Sequence, residues 1–341
     1  MIEDFFLDRL STIYGITGKG KTTMIVHILK ILQPFIYTGV VFSPTDVDNG
    51  NYSRSLFPPA LIHKTLSREA LESIWKRQTE SMEIYQIVNN LSILDGFARK
   101  CGITAQELAA IRECDVQLEN ALRKLDKKDT SYSATSDRLR EHVNNAKIKI
   151  YKNVIRSRAR MLPQEVIQQM TNDERIVADF LDFNPRIIIV FDDCSTELQH
   201  LRKLEVVSDL FFKGRQKKIT VLLALHSDKC IESEQRLNTG GAKIFIDDAT
   251  ARRFVDKETN AVSPEIAREV LRLCKINFVE GSYKKILITL DGRVLTVQAN
   301  TYEPFSFVSN EVRQAIEQIQ KKGDERKSSG AIYRYLQQRK R

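Results

Sequence analysis

Residues 13–26 read IYGITGKGKTTMIV. They contain the pattern G-x-x-x-x-G-K-T, formed by Gly15, Ile16, Thr17, Gly18, Lys19, Gly20, Lys21 and Thr22. An apolar lead-in (Thr12, Ile13, Tyr14) predicts a strand, and residues 23–32 have the apolar spacing of a helix. Strand, glycine loop and helix in that order make a phosphate-binding loop. Gly15 and Gly20 permit backbone angles and a close approach that a Cβ would block. Successive N–H groups then point into one concavity and bind phosphate oxygens, and the positive end of the helix adds to their field. On this reading residues 15–23, including Thr23, hold the triphosphate of ATP. Lys21 reaches the β- and γ-phosphates, and the Thr22 hydroxyl sits on Mg²⁺.

A second stretch completes the chemistry. RIIIVFDD, residues 186–193, places four aliphatic residues in a row with no alternation. Such a run is buried on both faces, as in a parallel sheet. Its two carboxylates stand at the carboxyl end of the strand, where α/β sheets put ligands. Asp192 is the candidate Mg²⁺ ligand. Asp193 is the candidate catalytic carboxylate that polarises the attacking water. Residues 219–225, ITVLLAL, predict another fully buried strand, and it ends in His226. A polar residue there either senses the γ-phosphate or is a satisfied structural histidine.

The remaining chain is organised around these strands. Residues 35–43 read as a second strand, ended by Pro44. Residues 45–53 carry turn chemistry centred on Asn49-Gly50. Residues 67–182 read as helical, with segments at 86–100, 104–125 and 138–161 and a polar loop at 127–135. In the last helix Lys147, Lys149, Lys152, Arg156, Arg158 and Arg160 interleave with Ile148, Ile150, Tyr151, Val154 and Ile155. That pattern is either a solvated amphipathic face or a path for nucleic acid. Residues 196–212 predict a helix, 243–246 a short strand, and 250–254, 263–273 and 308–320 further helices. A hairpin is expected around Leu290-Asp291-Gly292. The expected divisions are 1–66 and 183–255 for the two halves of an ATPase core, 67–182 for a helical insertion, 256–320 for an α+β extension and 321–341 for a basic tail.

Composition bounds the reading more loosely. The 53 Lys and Arg exceed the 44 Asp and Glu, a net +9 that favours a polyanionic partner without requiring one. The five cysteines have no C-x-x-C spacing and no neighbouring histidines that would complete a zinc pattern, so they read as free thiols in a reducing compartment. No apolar run approaches about 18 residues, so no membrane span is expected. The acidic start MIEDFFLDRL lacks the basic region of a secretory signal.

Taken together, the phosphate loop, the strand ending in Ser43-Pro44-Thr45, Asn51-Tyr52, Phe57-Pro58, IIIVFDD and FKGRQKKITVLLALHS resemble one family. It is that of the DNA-packaging ATPases of large eukaryotic DNA viruses, of poxvirus and iridovirus type, in the FtsK–HerA superfamily. The resemblance covers roughly residues 13–247, apart from the helical insertion. It implies an α/β fold, a P-loop NTPase with a central, mostly parallel sheet between helices. It implies Mg²⁺-dependent ATP hydrolysis that drives double-stranded DNA into a capsid, by a homo-oligomeric ring working with a capsid or portal-vertex protein. The expected location is the assembly site in the host cytoplasm, or the virion. Arg215 looks like the arginine finger that acts on the nucleotide of the next subunit. Two positions depart from the pattern: His226 stands where the family commonly has Gln, and Asp193 where many relatives have Glu. The alternatives are a related translocase or helicase, a P-loop kinase for a small metabolite, and a nucleotide-dependent scaffold.

Overall fold

The structure, a computed structural model, describes residues 2–126 and 131–321. The basic tail expected at 321–341 therefore lies outside the described residues except for its first residue, as do residues 127–130 of the polar loop. The chain divides into two compact units, one formed by Met1–Thr79 with Asn184–Ser328 and the other centred on Glu80–Phe183. Among the described residues, no helix is long and apolar enough to cross a membrane.

The first unit is built on an eight-stranded sheet: β1 (Leu10–Tyr14), β2 (Thr38–Phe42), β3 (Ile62–His63), β4 (Ile187–Phe191), β5 (Ile219–Leu225), β6 (Lys243–Phe245), β7 (Lys284–Ile288) and β8 (Val294–Gln298). Their order is β3-β2-β4-β5-β1-β6-β7-β8. All pairings from β3 to β6 are parallel, and β7 and β8 join antiparallel. The fold is thus α/β with a mostly parallel central sheet, as expected. The strand between β1 and β4 is β5, which pairs Leu10–Tyr14 with residues 221–225 on one side and Phe191 with Leu223 on the other.

Burial explains the unalternating strand sequences. Ile188 and Val190 join an apolar cluster with Met24, Ile25, Ile28 and Leu222. Ile189 and Phe191 join a different cluster with Leu210, Val221, Leu223 and Phe254. Successive side chains point to opposite faces, and helices cover both, so every position is apolar. The hairpin arms are β7 and β8, with Gly292 at φ 79° in the turn, where a side chain is strained. The hairpin extends the same sheet.

Several expected boundaries move. Residues 86–100 do not form one helix: Arg68–Val88 ends, and Leu91–Lys100 restarts where the Asn90 side chain accepts from the N–H groups of Ser92 and Ile93. Residues 132–135, read as loop, belong to the helix Tyr132–Arg158. Residues 196–212 split into Ser195–Leu201 and Glu205–Lys213. The turn at 45–53 holds a short helix, Asp46–Asn49, closed by Gly50 at φ 63°. No strand is expected from sequence at the two-residue β3, since two residues show no period.

The second unit has its own core, in which Phe97, Leu94, Ile84, Val154, Ile155 and Ile176 are buried together. The apolar positions interleaved with the basic ones in Tyr132–Arg158 are this core face. The basic residues answer carboxylates of the same unit: Lys147 pairs with Asp115, Arg156 with Asp182 and Arg158 with Glu107. Three of the six cations in that pattern are thus paired within their own unit.

Candidate functional site

The site forms where β1, β4 and β5 end on the same edge of the sheet. After Tyr14 the chain turns through residues 15–20 into α1 (Lys21–Leu32). Gly15 is buried against Ile246: an added Cβ would stand 2.9 Å from the Ile246 Cβ. Gly18 and Gly20 have φ of 79° and 93°. Gly20 occupies the N-cap of α1, so no side chain caps the first turn. The first N–H groups of a helix have no intrahelical partners, which suits that end to anion binding.

The individual loop residues behave differently. The Ile16 N–H donates to Asp247 Oδ2 at 2.9 Å, and the Gly15 N–H donates to the Leu225 carbonyl. Those two amides anchor the loop to the neighbouring strand ends. Thr17, Gly18 and Lys19 are exposed, and Thr23 lies exposed on the first turn of α1. Lys21 is buried, and its ammonium donates to the Gly15 carbonyl at 2.9 Å. Burial lowers its pKa, while Asp193, Asp192 and Asp247 oppose that shift. The side chain therefore lies inside the loop, beside the place where phosphates would enter.

Asp192 and Asp193 sit at the end of β4. The Thr22 hydroxyl donates to Asp192 Oδ2 at 2.8 Å, and the Tyr52 hydroxyl donates to the same oxygen at 2.8 Å. Burial raises the Asp192 pKa, and these two donors act against the rise. The other oxygen, Oδ1, is buried with no hydrogen-bond partner. An orphaned carboxylate oxygen beside a threonine hydroxyl is the donor set of a hard divalent cation. The residues present fit Mg²⁺.

Asp193 has φ 57°, a left-handed conformation uncommon outside glycine that Asp tolerates. Its Oδ2 accepts from the Thr45 hydroxyl at 3.1 Å, and Oδ1 lies 3.5 Å from His226 Nε2. His226 Nδ1 is 3.3 Å from the Lys21 ammonium. One arrangement satisfies both neighbours: the ring hydrogen on Nε2 faces the carboxylate, and the lone pair on Nδ1 faces the ammonium.

The geometry therefore brings Lys21, Thr22, Asp192, Asp193 and His226 together, and leaves Arg215 apart. Arg215 precedes β5, whereas His226 follows it, so the length of the seven-residue strand, about 20 Å, separates them. Arg215 is exposed on the opposite edge of the sheet, lining a surface cavity with Asp8, Arg9 and Lys218. Sequence reasoning assigned no role to Tyr52, Thr45, Asp46 and Asp247. Buried Asp46 accepts from the N–H groups of Tyr52 and Ser53, fixing the turn that aims the Tyr52 hydroxyl. The signal available was Asp46 opening a turn with an aromatic residue six positions on. It does not reveal the target of the hydroxyl.

Sheet order, loop and strand-end carboxylates together define the fold of a P-loop NTPase. No family model matches the chain. It is similar to the uncharacterized protein B354L of African swine fever virus (isolate Pig/Kenya/KEN-50/1950), 26% identical over 295 residues that cover 83% of this chain and 78% of that protein. It is also similar to the uncharacterized protein 075L of invertebrate iridescent virus 6, 35% identical over 71 residues, 21% of this chain and 27% of that protein. Among solved structures, the genome packaging NTPase B204 of Sulfolobus turreted icosahedral virus 2 in complex with ATP-gammaS aligns with a TM-score of 0.39 and 9% identity, over 86% of this chain and 98% of that one.

Proposed function

We propose that this chain is an ATP-hydrolysing motor that drives double-stranded viral DNA into a capsid as a homo-oligomeric ring. The observation that carries the reading is the convergence of Lys21 and Thr22 with Asp192 and Asp193 at one sheet edge. The packaging role rests further on the sequence resemblance, and the similarity to two viral proteins supports a viral setting.

Each group has a task. The loop amides and Lys21 hold the β- and γ-phosphates and offset charge that builds on them. Thr22 and Asp192 would hold Mg²⁺, which when bound neutralises phosphate charge. Asp193 orients the attacking water and accepts its proton. His226 positions Asp193 through Nε2 and contacts Lys21 through Nδ1, so it couples the base to the phosphate-binding side. Arg215, remote from its own site, acts on the nucleotide of a neighbouring subunit. The ring docks on a capsid or portal-vertex protein at the assembly site in the host cytoplasm.

The test is the ATPase rate with and without duplex DNA, read together with particle mass in solution. Hydrolysis stimulated by duplex DNA in a ring-sized particle supports the motor. A monomer indifferent to DNA overturns it. Strand separation would favour a helicase, and phosphate transfer to a small acceptor would favour a kinase.

A further inference from the structure

The phosphate loop accounts for the phosphates of a nucleotide and leaves its base and ribose without a place. A cavity of about 1090 Å³ opens against the outer side of the loop, along Gly18, Lys19 and Thr23. Its far wall comes from the hairpin. Because β7 runs antiparallel to β6, its first residue lies at the edge where the loop stands, and so does the last residue of β8. Residues 282–285 and 298–302 are thereby delivered beside the loop. The cavity lies on the β6 side of β1, away from Asp192 and Asp193 on the β4 side.

This wall is held in place. The Lys285 ammonium donates to the carbonyls of Ile246 at 3.1 Å and Lys19 at 3.3 Å, tying the hairpin to the loop. The Asn300 N–H reaches His27 Nδ1 at 3.3 Å, which makes that nitrogen the acceptor. The Tyr302 hydroxyl donates to it at 2.8 Å, and the two rings stack 5.8 Å apart at 19°. Burial lowers the His27 pKa, in keeping with a neutral ring that accepts at Nδ1. His27 belongs to α1, so the helix that begins at the phosphate site also sets the position of Tyr302.

The lining suits a flat, anionic ligand. Its charged residues are Lys19 and Lys285, with no carboxylate. Tyr302 forms part of the wall, and Tyr283, 74% exposed, stands at the mouth with most of its surface uncovered. Pockets of this scale hold ligands the size of a nucleoside, and tyrosine faces stack on bases of any sequence.

We propose that this cavity is the nucleoside subsite, in which Tyr283 and Tyr302 stack the base of a nucleoside triphosphate whose phosphates occupy residues 15–23. The assignment rests on reading that loop as the phosphate site. The experiment is calorimetric titration of the full chain with Mg²⁺ and either a non-hydrolysable ATP analogue or inorganic tripolyphosphate. The wild type binds the analogue more tightly than tripolyphosphate. Tyr283→Ala, a change at an exposed position, weakens the analogue about tenfold and leaves tripolyphosphate unchanged. Tyr302→Ala does the same. Three results overturn the subsite while leaving the phosphate loop intact: analogue binding unaltered in both variants, tripolyphosphate bound by the wild type as tightly as the analogue, or an equal loss of both ligands in Tyr283→Ala. A wild type that binds neither ligand overturns the loop reading and the subsite with it.

Discussion

The Thr22 hydroxyl donates to Asp192 Oδ2 at 2.8 Å across 170 residues of chain. The same oxygen accepts from Tyr52, so one buried carboxylate atom ties α1, the turn after β2 and the end of β4. A hydrogen bond to a charged group contributes about 1.5–3 kcal/mol. Tyr52→Phe keeps the ring and removes one of the two donors. Urea unfolding at neutral pH should show a stability loss of about that size. An unchanged midpoint would mean that the hydroxyl does not hold Asp192.

Lys21→Ala removes the buried ammonium that lies between the Gly15 carbonyl and His226. We expect hydrolysis to fall by at least about 100-fold, the loss found when one preorganised donor is removed. Steady-state phosphate release measures it. Normal turnover in this variant would contradict the site assignment.

Arg215→Ala alters a residue a full strand length from Lys21 in the same chain. ATP binding should survive and hydrolysis should be lost. On the proposed reading one subunit supplies the arginine and its neighbour the carboxylate, so mixing this variant with Asp193→Asn should restore partial activity. No recovery on mixing would count against action between subunits.

Glu107 carries a pH-dependent part of the stability of the second unit. Arg158 binds it in a two-pronged pair at 2.8 and 2.9 Å, and the Thr104 N–H adds a bond at 2.8 Å. These partners lower its pKa from 4.5 to about 2. A depressed carboxylate stabilises the fold above its unfolded pKa, and that contribution fades as pH falls from 4.5 towards about 2. Glu107→Gln should lower the melting temperature at pH 7 and flatten its fall across that window. Parallel melting curves for the two proteins would remove Glu107 from the acid response.

Gly39→Ala probes the sheet itself. An added Cβ would stand 2.5 Å from the Ile188 carbonyl oxygen and would also strike the Ile188 Cγ2. The paired strand cannot retreat without breaking its ladder, so the cost is that of overpacking, about 1–3 kcal/mol. Chemical denaturation checks it.

The parallel sheet was legible because its evidence is local. A strand covered on both faces must be apolar at every position, and ITVLLAL states this without help from the rest of the chain. The break at Asn90 escaped notice because the apolar spacing runs on across it, while the cap that ends one helix and starts the next is a geometric event. Arg215 and His226 stand eleven residues apart in one segment, yet β5 carries them to opposite edges of the sheet.

From sequence alone came the loop type, the strand-end carboxylates and the α/β class, since each follows from backbone demands or burial that neighbouring residues express. The tertiary structure decided that Tyr52 and Thr45 reach Asp192 and Asp193, that Asp247 secures the Ile16 amide, and that a C-terminal hairpin walls the cavity beside the loop. Those contacts join positions brought close only by strand order, and side chains far apart in the chain leave no shared period for a sequence to display.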